Sequence, residues 1–271
     1  MNIEKCCVVS CENPLDQNYW DAQYKAKTTG WDLGETAPPI KEYIDTLTDK
    51  NKRILIPGCG NTYEAQYLLE QGFTNITVID IAPTLVTNLK NKFADNPAIK
   101  IILGDFFEYQ GTYDIIIEQT FFCALPPALR QKYVWKMHRL LADDGILTGL
   151  LFNRSFEASP PFGGSQEEYL ALFKGAFTIL KMEMAQNSST PRANSELFFE
   201  FKKNNQVKVS LYKLEGSNEI VIQKLSALQN VINVSISSDF VTILLVSRSE
   251  IPLDQLQTIV SYDEKYRIKK L

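Results

Sequence analysis

Short apolar runs alternate with segments of helical spacing through the middle of the chain, and each run ends in a polar or glycine-containing break. Arg53-Ile54-Leu55-Ile56 reads as a first buried strand ending at Pro57-Gly58-Cys59-Gly60, followed by a helix from Tyr63 to Gln71 that Gly72 closes. Asn75 to Asp80 predicts a second strand, and Pro83 to Ala94 a second helix with proline in its first turn. Strands follow at Ile99 to Leu103 and Tyr113 to Glu118, then a helix from Pro127 to Leu141 that stops before Asp143-Asp144-Gly145, and a fifth strand from Ile146 to Phe152. A helix at Gln166 to Phe173 and strands at Phe177 to Ala185 and Glu196 to Lys202 complete this unit. Repeated strand-helix alternation predicts an α/β, doubly wound sheet whose ligands sit at the loops beyond the strand ends.

Lys203-Asn204-Asn205-Gln206 breaks the pattern, and a different one follows. Val207 to Tyr212 predicts a strand, Glu219 to Leu228 a helix, Val231 to Ile236 and Phe240 to Ser247 a hairpin, Leu253 to Val260 a helix and Tyr266 to Leu271 a strand. That βαββαβ order is ferredoxin-like. The chain therefore divides into a domain over residues 1–204, carrying all the motifs discussed below, and a small α+β domain over 205–271.

Composition narrows the function classes. With 45% hydrophobic and 22% charged residues, the 271-residue chain can bury a substantial core. A net charge of -4, from 28 Lys+Arg against 32 Asp+Glu, provides no broad basic surface, so nucleic acid is not an expected partner. No apolar run approaches the roughly 18 residues of a membrane helix, and a cytoplasmic location without membrane contact is expected. Five cysteines do not make a disulfide framework. Cys6, Cys7 and Cys11 lack the paired CxxC spacing of a zinc site and the single histidine, His138, is distant, so no metal is expected. His138, beside Arg139, reads as a surface helix residue rather than a base.

The chemistry concentrates at strand ends. Gly58-Cys59-Gly60 places a side-chain-free turn ahead of a helix, and Asp80 ends the next strand 22 positions after Gly58, a spacing suited to a carboxylate accepting from ribose hydroxyls. The third glycine that accompanies a pyrophosphate would fall at Tyr63, which disfavours a dinucleotide. Gly104-Asp105-Phe106-Phe107 puts a second carboxylate and an aromatic after the third strand, an arrangement suited to an adenine ring. Together these point to S-adenosylmethionine. Read without a ligand, Gly60 relieves helix-strand packing, and Asp80 and Asp105 cap helices.

Three motifs carry a family resemblance over residues 14 to 204. Asn18-Tyr19-Trp20-Asp21 with Thr29-Gly30-Trp31-Asp32-Leu33-Gly34, then Leu55-Ile56-Pro57-Gly58-Cys59-Gly60, then Glu118-Gln119-Thr120-Phe121-Phe122-Cys123-Ala124-Leu125 resemble the thiopurine S-methyltransferase family, especially its halide/thiol methyltransferase branch. The resemblance implies a class I methyltransferase fold, Rossmann-like with seven strands, and S-adenosylmethionine as methyl donor. It implies Trp20, Tyr24 and Trp31 over the cofactor, Gly58 and Gly60 beneath it, Asp80 at the ribose, Asp105 with Phe106 at the adenine, and Gln119 at a further cofactor contact. Tyr24 stands where relatives have Trp, and Gln119 where they have Tyr or Arg. Pro160-Pro161-Phe162 resembles a turn walling the acceptor pocket, and Arg192 aligns with an arginine near the active site, where it would attract an anionic nucleophile.

The physics of the aromatic residues agrees with that implication, because a sulfonium cannot donate a hydrogen bond and is held by ring faces and carboxylates. Methyl transfer from it is an in-line displacement, and a thiolate, thiocyanate or halide acceptor needs no general base, whereas Glu118 or Tyr19 could deprotonate a harder one. The expected activity is therefore methylation of a small soft nucleophile. Another small acceptor, an oxyanion or metalloid, and an inactive cofactor-binding module that contacts a protein through its C-terminal domain remain the alternatives. That domain resembles a heavy-metal-associated domain through Leu225-Ser226-Ala227-Leu228-Gln229-Asn230-Val231 and Val234-Ser235-Ile236, but Leu214-Glu215-Gly216-Ser217-Asn218-Glu219 lacks the CxxC thiolates.

Overall fold

The computed structural model describes residues 14–215, 219–261 and 266–271, and Cys6, Cys7 and Cys11 lie outside the described residues. Two helices precede the first strand. They are α1 (Gln17–Ala26), capped by the Asp16 carboxylate that accepts from the Tyr19 amide, and α2 (Pro38–Thr46), with proline in its first turn. Then come β1 (Ile54–Pro57), α3 (Tyr63–Glu70), β2 (Ile76–Asp80), α4 (Pro83–Lys92), β3 (Ile99–Leu103), β4 (Tyr113–Gln119), α5 (Arg130–Leu140), β5 (Leu141–Phe152), α6 (Gln166–Phe173), β6 (Phe177–Met184) and β7 (Glu196–Lys203). The strands form one sheet in the order β3-β2-β1-β4-β5-β7-β6, with β7 antiparallel to both neighbours and the β3 to β5 pairs parallel.

Each central strand is apolar on both faces, as a covered parallel sheet requires. Ile54, Ile56, Ile115 and Ile117 face a core with α2, α3 and α4, while Leu55 and Ile116 face a second core with α5 and α6. The predicted turn at Asp143-Asp144-Gly145 is instead part of β5. Tyr113 pairs with Leu141 and Ile115 with Ile146, so the intervening residues bulge out of register, with Asp144 at φ +60°. Burial of Leu141 against the α5 core outweighs the local turn signal.

The C-terminal unit comprises β8 (Lys208–Glu215), α7 (Glu219–Ser226), β9 (Val231–Ile236), β10 (Thr242–Ser247), α8 (Leu253–Val260) and β11 (Arg267–Lys270). Its antiparallel sheet runs β11-β8-β10-β9, the ferredoxin-like order that the βαββαβ pattern predicts. Ile243 and Leu245 of β10 pack with Val221, Leu225 and Leu256 of the two helices on one face. Leu244 and Val246 point the other way and join Val207, Leu211, Tyr133, Val134 and Met137 in one continuous core with α5. Residue 205 thus separates two sheets, while the packed core runs across it.

His138 belongs to that same junction, which corrects its reading as a surface residue. It is 9% exposed, its ring meets Phe177 edge-on, and Nε2 lies 3.2 Å from the Asn204 carbonyl oxygen that it serves as donor. Burial pulls its pKa down to about 4.

Candidate active site

The site lies where β1, β2 and β4 end. After Pro57 the chain turns through Gly58 at φ +53° and Gly60 at φ +51°, a left-handed backbone that only glycine adopts without strain. The two glycines do different work. A Cβ on Gly58 would stand 2.2 Å from Phe121 Cδ2, so that position admits the β4 loop. At Gly60 the nearest atom to a Cβ is the Tyr24 hydroxyl at 3.5 Å, which leaves the turn open on that side. Cys59 is buried between them, and desolvation pushes its thiol well up, so it is not a nucleophile.

Asp80 meets this turn at the end of β2. Its Oδ2 accepts from the Gly60 amide at 3.1 Å and its Oδ1 from the Ala82 amide at 3.0 Å. Burial raises its pKa and the amide bonds oppose the rise. Gly104 donates to the Asp80 carbonyl at 3.0 Å, which brings the end of β3 alongside. There Asp105 is exposed and accepts from the Phe107 amide at 2.8 Å, while Phe106 is 4% exposed and packs against Phe121 and Tyr133. Phe106 therefore supports the loop from beneath. Gln119 ends β4, and its buried Oε1 has no hydrogen-bond partner among the described residues; the same holds for Thr62 Oγ1 at the start of α3.

The aromatic residues of the N-terminal segment converge over the turn. Trp31 meets Trp20 at 5.6 Å and Tyr24 at 5.9 Å between ring centroids, both edge to face. Three polar residues hold this wall. Asp21 accepts from the Thr84 amide at 2.7 Å and pairs with Lys25 at 2.7 Å, docking α1 on the N-terminus of α4, and the Lys25 ammonium lowers its pKa. Asp32 accepts from Asn61 Nδ2 in the glycine turn and from the Gly34 amide at 2.8 Å. Arg192 is 7% exposed; it pairs with Glu196 at 3.2 Å and donates to the Trp31 carbonyl at 2.5 Å. The motifs contained Asp21 and Asp32, but no local pattern announces contacts 63 and 29 residues away. Between this segment and the one before β7 lies a cavity of about 510 Å³ lined by Asp32, Glu35, Ser188, Ser189 and Arg192.

Beneath the β4 loop, Glu118 is 0% exposed. One carboxylate oxygen accepts from the Phe121 and Phe122 amides at 2.8 and 2.9 Å, the other from the Tyr133 hydroxyl at 2.6 Å. Desolvation raises its pKa to about 7 against those three donors. The loop is also tied to the Pro160-Pro161-Phe162 turn, where the Phe162 amide donates to the Cys123 carbonyl at 2.6 Å.

This arrangement has known counterparts. A family model described as thiopurine S-methyltransferase (TPMT) matches residues 15–209. The chain belongs to the thiopurine S-methyltransferase family. Among curated relatives, a probable thiol methyltransferase 2 of Arabidopsis thaliana is 32% identical over 196 residues, covering 68% of this chain and 84% of that protein. A thiopurine S-methyltransferase of Acinetobacter baylyi is 26% identical over 208 residues, covering 66% of this chain and 94% of that protein. The fold recurs in solved structures. The Burkholderia thailandensis 1,6-didemethyltoxoflavin-N1-methyltransferase with bound S-adenosylhomocysteine gives a TM-score of 0.58 at 18% identity, covering 70% of this chain and 87% of that one.

This member of the family is thus an S-adenosylmethionine-dependent class I methyltransferase. Its residues fit that cofactor: Asp80 meets the Gly60 turn, which is open on one side, and Gln119 Oε1 at the end of β4 and Thr62 Oγ1 at the start of α3 are buried polar atoms without a partner among the described residues. No helix among the described residues is long and apolar enough to cross a membrane.

Proposed function

We propose that this methyltransferase acts on a small soft nucleophile, a thiol, thiocyanate or halide. The carrying observation is the edge-to-face cluster of Trp20, Tyr24 and Trp31 set over the glycine turn and Asp80. When bound, the cofactor supplies an electrophilic methyl group on a sulfonium. Trp20, Tyr24 and Trp31 present rings suited to that cation, at about 0.5 to 2 kcal/mol per contact, and exclude water from it. Asp80 is the group for the ribose, Asp105 and Gln119 the polar groups for the rest of the cofactor. Arg192, neutralised by Glu196 and bonded to the Trp31 carbonyl, holds the wall in place, and its role is positioning.

Proton chemistry favours an acceptor that arrives ionised. Asp80, Asp105 and Glu118, the carboxylates at these strand ends, each already accept from backbone amides. Relatives whose names specify thiol and thiocyanate acceptors agree with this reading. The test is radiolabelled methyl transfer to thiols of graded pKa, thiocyanate and iodide, with pH-rate profiles. The expected result is turnover that follows the acceptor's own thiol ionisation and stays flat near neutrality for thiocyanate. Cofactor binding without turnover on any of these, or turnover confined to oxyanions or metalloids, would overturn it.

A further inference from the structure

One helix carries the loops of the site. On α5, Tyr133 holds Glu118 and through it the Phe121 and Phe122 amides of the β4 loop. Lys136 donates to the Phe107 carbonyl in the loop after β3 at 2.8 Å, and Arg130 to the Gly163 carbonyl in the loop after β5 at 2.6 Å. Three loops that shape the site therefore take their position from α5.

The other side of α5 rests on the C-terminal sheet. Gln131 donates from Nε2 to the Ser235 hydroxyl and to the Ile236 carbonyl, both at 2.9 Å, and Leu211, Leu244 and Val246 share a core with Val134 and Met137. Asn233 donates to the Ala171 and Lys174 carbonyls at the end of α6, at 3.0 and 3.2 Å. The two units approach so closely that a Cβ on Gly175 would stand 2.7 Å from Ile232 Cγ2. The family match stops at residue 209, just after β8 begins, so this support lies almost wholly outside it.

We propose that the C-terminal unit is a positioning part of the methyltransferase site, acting through α5, with Gln131 as its polar link. Packed interiors transmit small displacements, and a reacting geometry tolerates little misplacement. Loosening the sheet from α5 must then loosen the β4 loop. The inference uses the methyltransferase reading only for its kinetic consequence.

The experiment compares the full chain with Gln131→Ala, which removes the link, and Gln257→Ala, which breaks the bond from the Ile268 amide inside the C-terminal unit and leaves α5 untouched. Hydrogen exchange is read on segments 119–125 and 207–247, with kcat and KM for a methylated acceptor. Gln131→Ala is expected to speed exchange at 119–125 by about tenfold, the equivalent of one lost hydrogen bond, and to lower kcat. Gln257→Ala is expected to leave both unchanged. Should Gln131→Ala fail to fold, Ser235→Ala, which deletes one of the two acceptors, is read in its place with a smaller effect. Faster exchange in 207–247 with 119–125 and kcat at wild-type values would overturn the proposal. The exchange result stands whether or not an acceptor has been found.

Discussion

Glu118→Gln is the most informative single change, because it keeps the shape of a fully buried side chain and removes its titration. Oε1 of the amide can still accept from Phe121 and Phe122, and the Tyr133 hydroxyl can turn to accept instead of donate. Burial lifts the folded carboxyl to about 7 against 4.5 for a solvent-exposed glutamate in the unfolded chain, so the folded state binds the extra proton between those values. Stability from this group is full below the unfolded pKa and is lost as pH rises through the folded one. At about 1.4 kcal/mol per pH unit, the stability of wild type relative to Glu118→Gln should be greater near pH 5 than near pH 8 by about 2 to 3 kcal/mol. Taking the difference between the two proteins cancels the parallel loss from Glu64, also raised to about 7 by burial, and the opposite contribution of His138. Urea unfolding followed by circular dichroism at both pH values measures it. A difference independent of pH would show that the three donors hold Glu118 ionised throughout and would refute the reasoning. Glu118→Ala, which orphans two amides and a hydroxyl, should cost about 3 to 6 kcal/mol near pH 8 and more near pH 5, by the same pH-dependent difference.

Asp80→Ala should weaken S-adenosylmethionine binding by roughly 1.5 to 3 kcal/mol, the scale of hydrogen bonds to a charged group, and calorimetry with unchanged affinity would remove Asp80 from the site. Asp21→Ala frees the Thr84 amide and the Lys25 ammonium, so α1 should loosen and cofactor affinity fall by about 1 to 3 kcal/mol; Trp20 and Trp31 fluorescence that stays at the wild-type value on both free and bound protein would contradict the docking role. Leu244→Ala opens the core between α5 and the C-terminal sheet and should cost about 2 to 5 kcal/mol in a single cooperative unfolding transition. Two separated transitions, with only one shifted, would mean that the units fold independently.

Much of this molecule is written locally. Period-2 and 3.6-residue patterns predicted the strands of both sheets, since burial on one or two faces dictates those spacings wherever the strand sits. The GCG turn, Asp80 and Asp105 were legible because glycine at positive φ and carboxylates at strand ends are demands of the backbone itself. Trp20 and Trp31 lie within the quoted motifs and Tyr24 was added by the family resemblance, and the fold brings the three rings together. In the structure the continuous run Ile243-Leu244-Leu245-Val246 is covered on two faces.

What covers that run was not legible, because periodicity records that a face is buried and not which element buries it. Only the fold assigns it to α5, and with that assignment the boundary at residue 205 ceases to be a boundary of the core. Long-range polar contacts were hidden for the same reason. Arg192 carries a charge that the sequence offers to solvent or to a substrate anion, and the tertiary structure adds contacts with Glu196 and the Trp31 carbonyl that no local pattern showed. His138, polar and placed among charged neighbours, looks exposed until the linker carbonyl of Asn204 and the ring of Phe177 close over it. A hydrogen bond between residues far apart in the chain leaves no trace in local composition, so positions that depend on one are decided only when the chain has folded.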